Sequence, residues 1–112
     1  MERKIIIYKK YFLDFYKAQE EKVQEKIEYV LDLVRFERRV PKKFFKALEN
    51  ADGIYEVRVI KNFKSIRILC FLDDGNLLIL VNCFEKKTQK TPGKEIKRAE
   101  KLKKEYLKEK HT

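Results

Sequence analysis

The sequence has few of the residues from which catalytic and metal sites are usually built. Its only histidine, His111, lies one residue from the C-terminus, so neither a Ser/His/Asp set nor a histidine pair is present. Cys70 and Cys83 fall inside predicted strands without metal-ligand spacing, which favours buried thiols over a disulfide or a zinc site. There is no glycine-rich phosphate loop and no cluster of carboxylates. We therefore expect neither a cofactor nor a metal ion.

The sequence also lacks a signal peptide, a lipidation motif and any apolar run long enough to cross a membrane. We therefore expect a cytoplasmic protein without membrane contact. The length of 112 residues suits one domain, which we assign to residues 1–112. Hydrophobic residues make up 44% and fall in periodic segments, so a folded core is predicted although 41% of the residues are charged.

The net charge of +10 has two interpretations. It indicates either a polyanionic partner such as a nucleic acid or only a lysine-rich solubilising surface. Residues 1–53 contain 13 basic and 10 acidic side chains, whereas residues 54–112 contain 15 and 8. The positive excess therefore lies in the second half of the chain.

The first half has the periodicity of a strand followed by helices. Lys4–Tyr8 is a short β-rich run, and apolar residues then recur at helical spacing from Tyr11 to Val34, with a restart near Ala18–Glu20. After a charged break, Pro41 is placed to open a short helix with three inward-facing residues, Phe44, Phe45 and Leu48.

From Ile54 the apolar period changes to two. The pattern predicts an antiparallel meander of three strands and a final helix, at Ile54–Ile60, Ser65–Leu72, Leu77–Glu85 and Lys94–Glu109. The predicted fold class is α+β, in the order β-α-α-β-β-β-α. It has an antiparallel sheet of about four strands, N-terminal helices on one face and a C-terminal basic helix, so that the second face stays partly open.

Lysines crowd the junction between the last strand and the last helix. Lys86, Lys87 and Lys90 follow the apolar run Leu77–Val81, which has the composition of a strand buried on both faces. Thr91 and Pro92 suit the N-cap and the first helical position. These cations predict an anion-binding corner, with Lys90, Lys94, Lys97 and Arg98 as candidate RNA contacts.

Charged residues also interrupt the meander. Glu56 and Arg58 alternate with apolar neighbours and therefore share a face, and Arg67 interrupts an otherwise apolar strand. Because burial of charge is costly, we expect these residues on the face that solvent reaches, near Lys86 and Lys87. A salt bridge accounts for Glu56 and one arginine but leaves the other cations without a partner. We therefore favour an anion site.

A phosphate backbone with stacked bases suits such a surface, since Tyr55 and Phe84 lie beside the cations in sequence. Metal-dependent nuclease chemistry is disfavoured because the sheet offers only Glu56 and Glu85 as carboxylates. Any RNA cleavage is therefore expected to proceed without a metal ion, by attack of the ribose 2′-hydroxyl on the adjacent phosphate while arginine and lysine neutralise the developing charge. A lysine base needs a pKa lowered from about 10.4, which neighbouring cations can supply.

Three segments carry a resemblance to a known family: GIYEVRV at Gly53–Val59, SIRILCFLDDGN at Ser65–Asn76, and FEKKTQKTPGKEIKRA at Phe84–Ala99. They resemble the RelE/ParE superfamily of bacterial toxins, and most closely its HigB-like, phage-derived branch. The phrase KKTQKTP followed by a basic helix is the most specific part. Cys83 departs from the family pattern, which commonly has glycine there.

The resemblance implies a RelE-like fold and a toxin of a type II toxin–antitoxin pair. Typical members enter the ribosomal A site and cleave mRNA. A small antitoxin from the same operon, often a helix-turn-helix protein, neutralises them, and operator DNA is bound only through the antitoxin complex.

The resemblance also implies roles for five candidate catalytic residues. Arg67 matches the arginine that binds the scissile phosphate, and Arg58 matches a basic position of the preceding strand. Lys86 or Lys87 matches the basic residue that closes the last strand, and Glu56 stands where some relatives have lysine. The C-terminal tyrosine or histidine of several relatives has no clear counterpart, which leaves the general base unassigned.

Three functions remain open at this point. The first is a ribosome-dependent mRNA endonuclease, the second a ParE-like gyrase poison, and the third a non-catalytic nucleic-acid-binding module. The basic corner favours an RNA function, since the gyrase branch needs no phosphate-binding arginines. Of these functions, only the enzyme is expected to lose activity on Arg67→Ala while keeping its fold.

Overall fold

The computed structural model describes residues 2–111, which form three helices and five strands. In chain order these are β1 (Lys4–Ile7), α1 (Tyr11–Lys17), α2 (Glu21–Phe36), β2 (Phe45–Ala47), β3 (Tyr55–Lys61), β4 (Lys64–Asp73), β5 (Leu77–Glu85) and α3 (Gly93–Lys110). The strands form one mixed sheet in the order β1-β5-β4-β3-β2. Helices α1 and α2 cover one face and α3 lies on the other, so the α+β prediction is confirmed.

The meander agrees with the prediction, since β3, β4 and β5 are successive antiparallel neighbours. The sheet differs from four antiparallel strands in two respects. It has a fifth strand, β2, and β1 runs parallel to β5, with Lys4 opposite Leu77 and Ile7 opposite Leu80. With β1 on one side and β4 on the other, the buried strand β5 has backbone partners along both edges.

The short helix predicted at Pro41 is wrong. The chain makes a single turn there, in which the amides of Phe44 and Phe45 donate to the Pro41 carbonyl at 2.9 and 3.1 Å. It then becomes β2 and pairs with β3, and the Phe45 ring stacks on Tyr55 with 5.2 Å between the ring centres. Cross-strand pairing of this kind stabilises the strand over a longer helix.

Alternation along β5 divides the core into two layers. Leu78 and Leu80 are buried in the core cluster that also contains Phe12 of α1 and the apolar stripe of α2, and Ile79 and Val81 are buried under α3. The prediction of a strand buried on both faces is therefore confirmed.

Side-chain hydrogen bonds attach both ends of helix α3 to the sheet, and the helix leaves part of that face of the sheet uncovered. Near its start, Asn82 donates hydrogen bonds of 3.0 Å to the carbonyl and the carboxylate of Glu95. Near its end, Asp73 accepts hydrogen bonds from Lys110 and Tyr106, both at 2.9 Å, and these hold the pKa of Asp73 below its usual value. The helix packs mainly on β4 and β5, so much of the β3 side of this face remains open.

The turn between β3 and β4 contains a strained aromatic residue. Asn62 and Phe63 have φ angles of 51° and 66°, as the two central residues of a type I′ hairpin turn do. Asparagine tolerates this conformation, but for phenylalanine it costs about 1–2 kcal/mol. The Phe63 side chain is fully exposed, so no burial offsets the strain.

We expect Phe63→Gly to stabilise the fold by about 0.5–1 kcal/mol, because glycine adopts a positive φ without strain. Phe36→Gly is the comparison, since Phe36 is also an exposed phenylalanine but lies at the end of α2, where glycine lowers stability by about 0.5–1 kcal/mol. Urea unfolding followed by circular dichroism measures both. A Phe63→Gly variant no more stable than the parent contradicts the assignment of strain.

Candidate functional site

The open part of the α3 face carries the charged residues of the meander. Glu56 and Arg58 lie two residues apart on β3, so both project from this face. Arg67 of β4 is the register partner of Arg58, and Phe84 of β5 is the register partner of Arg67. Three adjacent strands thus bring these side chains to one place.

Glu56 joins the two arginines. One of its carboxylate oxygens, Oε1, lies 3.5 Å from Nε of Arg58 and 3.4 Å from Nε of Arg67. Two like charges directly opposite each other on antiparallel strands repel. The carboxylate between them offsets this repulsion. We name these three residues the arginine–glutamate cluster.

The cluster is more buried than the sequence predicts. Glu56 and Arg67 are each 3% exposed, whereas 30% of the Arg58 side chain is exposed. The expectation that all three residues face solvent is wrong for Glu56 and Arg67. Each buried charge has an opposite charge beside it, which offsets the cost of removing it from water.

Arg67 is incompletely satisfied in this position. Its Nη1 donates to the Ile66 carbonyl at 3.2 Å, while its Nε makes no hydrogen bond. Burial lowers the pKa of the Arg67 guanidinium, Glu56 opposes that shift, and Arg58 adds to it. Arg67 remains charged in this position, and the neighbouring Glu56 carboxylate offsets part of the cost of burying it.

The segment between β5 and α3 closes one side of the cluster. The Thr91 hydroxyl donates to the second Glu56 oxygen, Oε2, at 2.5 Å, and the Lys86 amide donates to the Ser65 carbonyl at 2.6 Å. The predicted N-cap role of Thr91 is wrong, because α3 begins at Gly93 and Pro92 occupies the N-cap position. The Thr91 hydroxyl holds the carboxylate of the cluster instead.

An open groove of about 450 Å³ lies over the cluster. Its wall contains four cationic residues, Lys46, Arg58, Lys86 and Lys90, and two acidic residues, Glu49 and Glu56. We name it the basic groove. Its positive excess suits a phosphate group, because arginine and lysine donate charge-assisted hydrogen bonds to phosphate oxygens.

Lys86 is half-buried at the edge of the arginine–glutamate cluster. Burial lowers the pKa of its ammonium group, and Arg67 and Arg58 lower it further, while Glu56 opposes the shift. Near neutral pH a larger fraction of Lys86 is therefore uncharged than of an exposed lysine. An uncharged lysine can accept a proton.

The structure separates residues that the sequence treats alike. Lys86 and Lys90 line the basic groove, whereas Lys87 is exposed and lies outside its wall. Tyr55 lies on the opposite face of the sheet, stacked on Phe45, and so is not beside Arg58 as a platform for a base. Phe84 lies on the groove side, half-buried next to Arg67.

The remaining predicted RNA contacts form a second basic surface on α3. Lys94, Lys97 and Arg98 line a shallow depression together with Tyr11, and the Arg98 guanidinium lies 5.4 Å from the centre of the Tyr11 ring. Of the predicted basic RNA contacts, Lys90 therefore lies in the basic groove and the other three lie on this helix surface.

Lys46 is a groove residue that sequence reasoning missed. It lies on β2 directly opposite Glu56, which brings its side chain to the groove. Because the segment after Pro41 was predicted to be a helix, its pairing with β3 was not expected. The available signal was the alternation of Phe45, which faces the core, with Lys46, which does not.

The fold is α+β and consistent with the RelE-like type. The family model "Phage derived protein Gp49-like (DUF891)" matches residues 14–104. Because this match spans most of the sequence, the chain belongs to the phage-derived Gp49-like family, a family of the RelE/HigB toxin type. No curated protein matches the chain. Family membership supports a toxin–antitoxin context, with an antitoxin as the partner.

Within residues 2–111, no helix is long and apolar enough to span a bilayer. The same residues contain no group of three or more His, Cys, Asp or Glu side chains arranged to hold a metal ion. Cys70 and Cys83 are free thiols, and burial raises the pKa of both.

Because Arg67 is buried and Arg58 is partly exposed, we expect their replacement by alanine to lower the stability of the fold by different amounts. Arg67→Ala should destabilise the fold by about 3 kcal/mol, because it leaves Glu56 buried with one of its two partners removed. Arg58→Ala should cost less than about 1 kcal/mol, because Arg58 is partly solvated. Urea unfolding measures the difference. Equal losses for the two variants would show that Arg67 is not held inside the protein.

Proposed function

We propose that this protein is the toxin of a type II toxin–antitoxin pair and that it cleaves mRNA in the ribosomal A site without a metal ion. The observation that carries the proposal is the position of Lys86, whose pKa is lowered, beside two arginines in an open basic groove. Family membership supports the toxin class, and the groove supports the nuclease activity.

In this proposal the exposed cations of the groove bind the scissile phosphate. Arg58 presents a partly exposed guanidinium, and Lys46 and Lys90 line the same groove. Donors fixed in place before the reaction stabilise the charge that develops on the phosphate oxygens in the transition state. Arg67 is too buried to be the main phosphate contact, so we assign it as a positioning residue that acts through Glu56.

Lys86 is the proposed general base. Its uncharged amine accepts the proton of the ribose 2′-hydroxyl, and the 2′-oxygen forms a bond to the adjacent phosphorus. The bond from phosphorus to the 5′-oxygen breaks, and this oxygen takes a proton from water. The hydroxide left behind recovers a proton from the Lys86 ammonium group, which returns the base to its uncharged form. The products are a 2′,3′-cyclic phosphate and a 5′-hydroxyl, and no redox step or cofactor is required.

The other basic residues are proposed to hold RNA outside the reacting bond. Phe84 offers an aromatic surface beside the groove, and Lys94, Lys97 and Arg98 offer phosphate contacts along α3. Lys87 adds charge near the groove mouth. Binding by such contacts is expected to weaken steeply as salt concentration rises.

The proposed partner is an antitoxin from the same operon that covers the basic groove or contacts the N-terminal helices. Covering the groove blocks access to Arg58 and Lys86, which explains neutralisation without a change of fold. We further propose that only the antitoxin contacts operator DNA and that the toxin acts on ribosomes in the cytoplasm.

Primer extension on a reporter mRNA with purified protein tests the activity. We expect cuts only when translating ribosomes are present, and we expect Arg58→Ala to reduce the cleavage rate at least about 100-fold. Arg39→Ala is the matched control, since Arg39 is an exposed arginine outside the groove wall and its loss should leave the rate nearly unchanged.

Other outcomes separate the alternatives. Cuts without ribosomes would identify a free ribonuclease. An absence of cuts in both reactions would contradict the nuclease proposal, and a gyrase supercoiling assay would then distinguish a gyrase poison from a non-catalytic nucleic-acid-binding module.

The dependence of cleavage on pH tests the role of Lys86. Because only the uncharged amine accepts a proton, the rate should rise with pH up to the lowered pKa of Lys86. Lys86→Arg keeps the charge but cannot lose its proton in this range, so the rate should fall about 100- to 10,000-fold and this pH dependence should disappear. Single-turnover rates between about pH 6.5 and about pH 9, on ribosomes that stay intact, measure both effects.

Lys87→Arg provides the comparison at the neighbouring position. Lys87 lies outside the groove wall, so this variant should keep most of the activity and the same pH profile as the parent. A Lys86→Arg variant with parental rates at every pH would rule out Lys86 as the base.

A further inference from the structure

The tip of the β3–β4 hairpin presents apolar side chains that the fold does not use. Phe63 is 107% exposed and Ile60 is 62% exposed, so neither is buried by the rest of the chain. Phe63 also has a φ of 66°, a conformation that disfavours a bulky residue. A strained residue that gains nothing from burial points to a contact outside the chain.

The hairpin is a direct continuation of the basic groove. Beyond the pair of Arg58 and Arg67, the register continues through Ile60 opposite Ser65 to the turn at Phe63. Ile60 lies two residues after Arg58 and therefore on the same face of the sheet. At roughly 3.3 Å per residue, the end of β3 lies about 10 Å beyond the arginine pair.

The charge of the hairpin suits a polyanion. Residues 57–72 contain no aspartate or glutamate and carry four cations, Arg58, Lys61, Lys64 and Arg67. Lys61 and Lys64, which are register partners, flank the turn that contains Phe63, and their side chains lie on the α2 side of the sheet. An aromatic side chain between cations is a common arrangement for holding single-stranded nucleic acid, because bases stack on the ring while the cations contact phosphates.

The tip is also held in place before any partner arrives. Asn62 Nδ2 donates to the Glu20 carboxylate at 3.2 Å, and Lys64 Nζ donates to the Gln19 side-chain oxygen at 3.1 Å. Both bonds tie the turn to the segment between α1 and α2. A fixed tip loses little conformational freedom on binding.

We propose that Ile60 and Phe63 form an apolar shelf on which substrate RNA stacks a base beyond the scissile phosphate. This inference rests on the proposed function, since it extends the RNA path from the basic groove. Phe63 provides the stacking surface, and Ile60 packs against the sugar or base on the same face as Arg58.

A kinetic comparison separates this shelf from a structural role. Phe63→Gly should raise KM for mRNA-programmed ribosomes about tenfold, because it removes the stacking of one base. The same variant is expected to be more stable than the parent protein. Phe63→Trp should restore KM because it keeps an aromatic face. Phe36→Gly should leave KM unchanged. If the parent protein cleaves normally and Phe63→Gly has the parental KM, the shelf is disproved while the proposed function stands.

Photocrosslinking identifies the occupant. The full chain with Phe63→p-benzoylphenylalanine is irradiated with ribosomes programmed by an end-labelled mRNA that carries a 2′-O-methyl group at the cleavage site. This message cannot be cut, so the result does not depend on catalysis. We expect a crosslink to the mRNA, and none from Phe36→p-benzoylphenylalanine. A crosslink only to ribosomal RNA or protein, a crosslink only to a co-expressed antitoxin, or no crosslink overturns the shelf as an RNA contact.

Discussion

The site depends on the ion pairs that the Glu56 carboxylate makes with two arginines. This carboxylate lies between two arginines that the sheet register places opposite each other, and it also accepts a hydrogen bond from Thr91. Without that carboxylate, two like charges would meet in a largely buried position. With the carboxylate in place, Arg67 is buried and Arg58 faces the groove. The hydrogen bond from Thr91 holds the segment before α3 at the side of the groove. Lys86 lies in that segment, where burial and the two arginines lower its pKa while Glu56 opposes the shift.

The fold determines where this cluster can exist. One face of the sheet is occupied by α1 and α2, and α3 packs mainly on β4 and β5 of the other. The β3 side of that face is left for charged residues, and edge strand β2 adds Lys46 opposite Glu56. The groove is therefore the part of the sheet that no helix covers. Its exposed continuation is the β3–β4 hairpin, which carries Phe63 away from the core.

Local patterns in the sequence were sufficient to predict much of this fold. The meander strands were predicted to within one residue, because their period of two and their turns are local signals. Strand β2 was missed because its pairing with β3 is not local and Pro41 does begin a helical turn. The burial of Glu56 and Arg67 was missed for a related reason. The cost of burying a charge depends on its partner across the strands, and composition does not show register.

In the proposed mechanism the groove cleaves RNA by attack of the 2′-hydroxyl, with protein side chains in place of a metal ion. The chemistry of the ends left on the mRNA tests it most directly. After cleavage on translating ribosomes, we expect a 2′,3′-cyclic phosphate on the upstream fragment and a 5′-hydroxyl on the downstream fragment. The 5′-hydroxyl end accepts label from a polynucleotide kinase without prior dephosphorylation. A 3′-hydroxyl and a 5′-phosphate, the ends produced by an attacking water molecule, would contradict this mechanism.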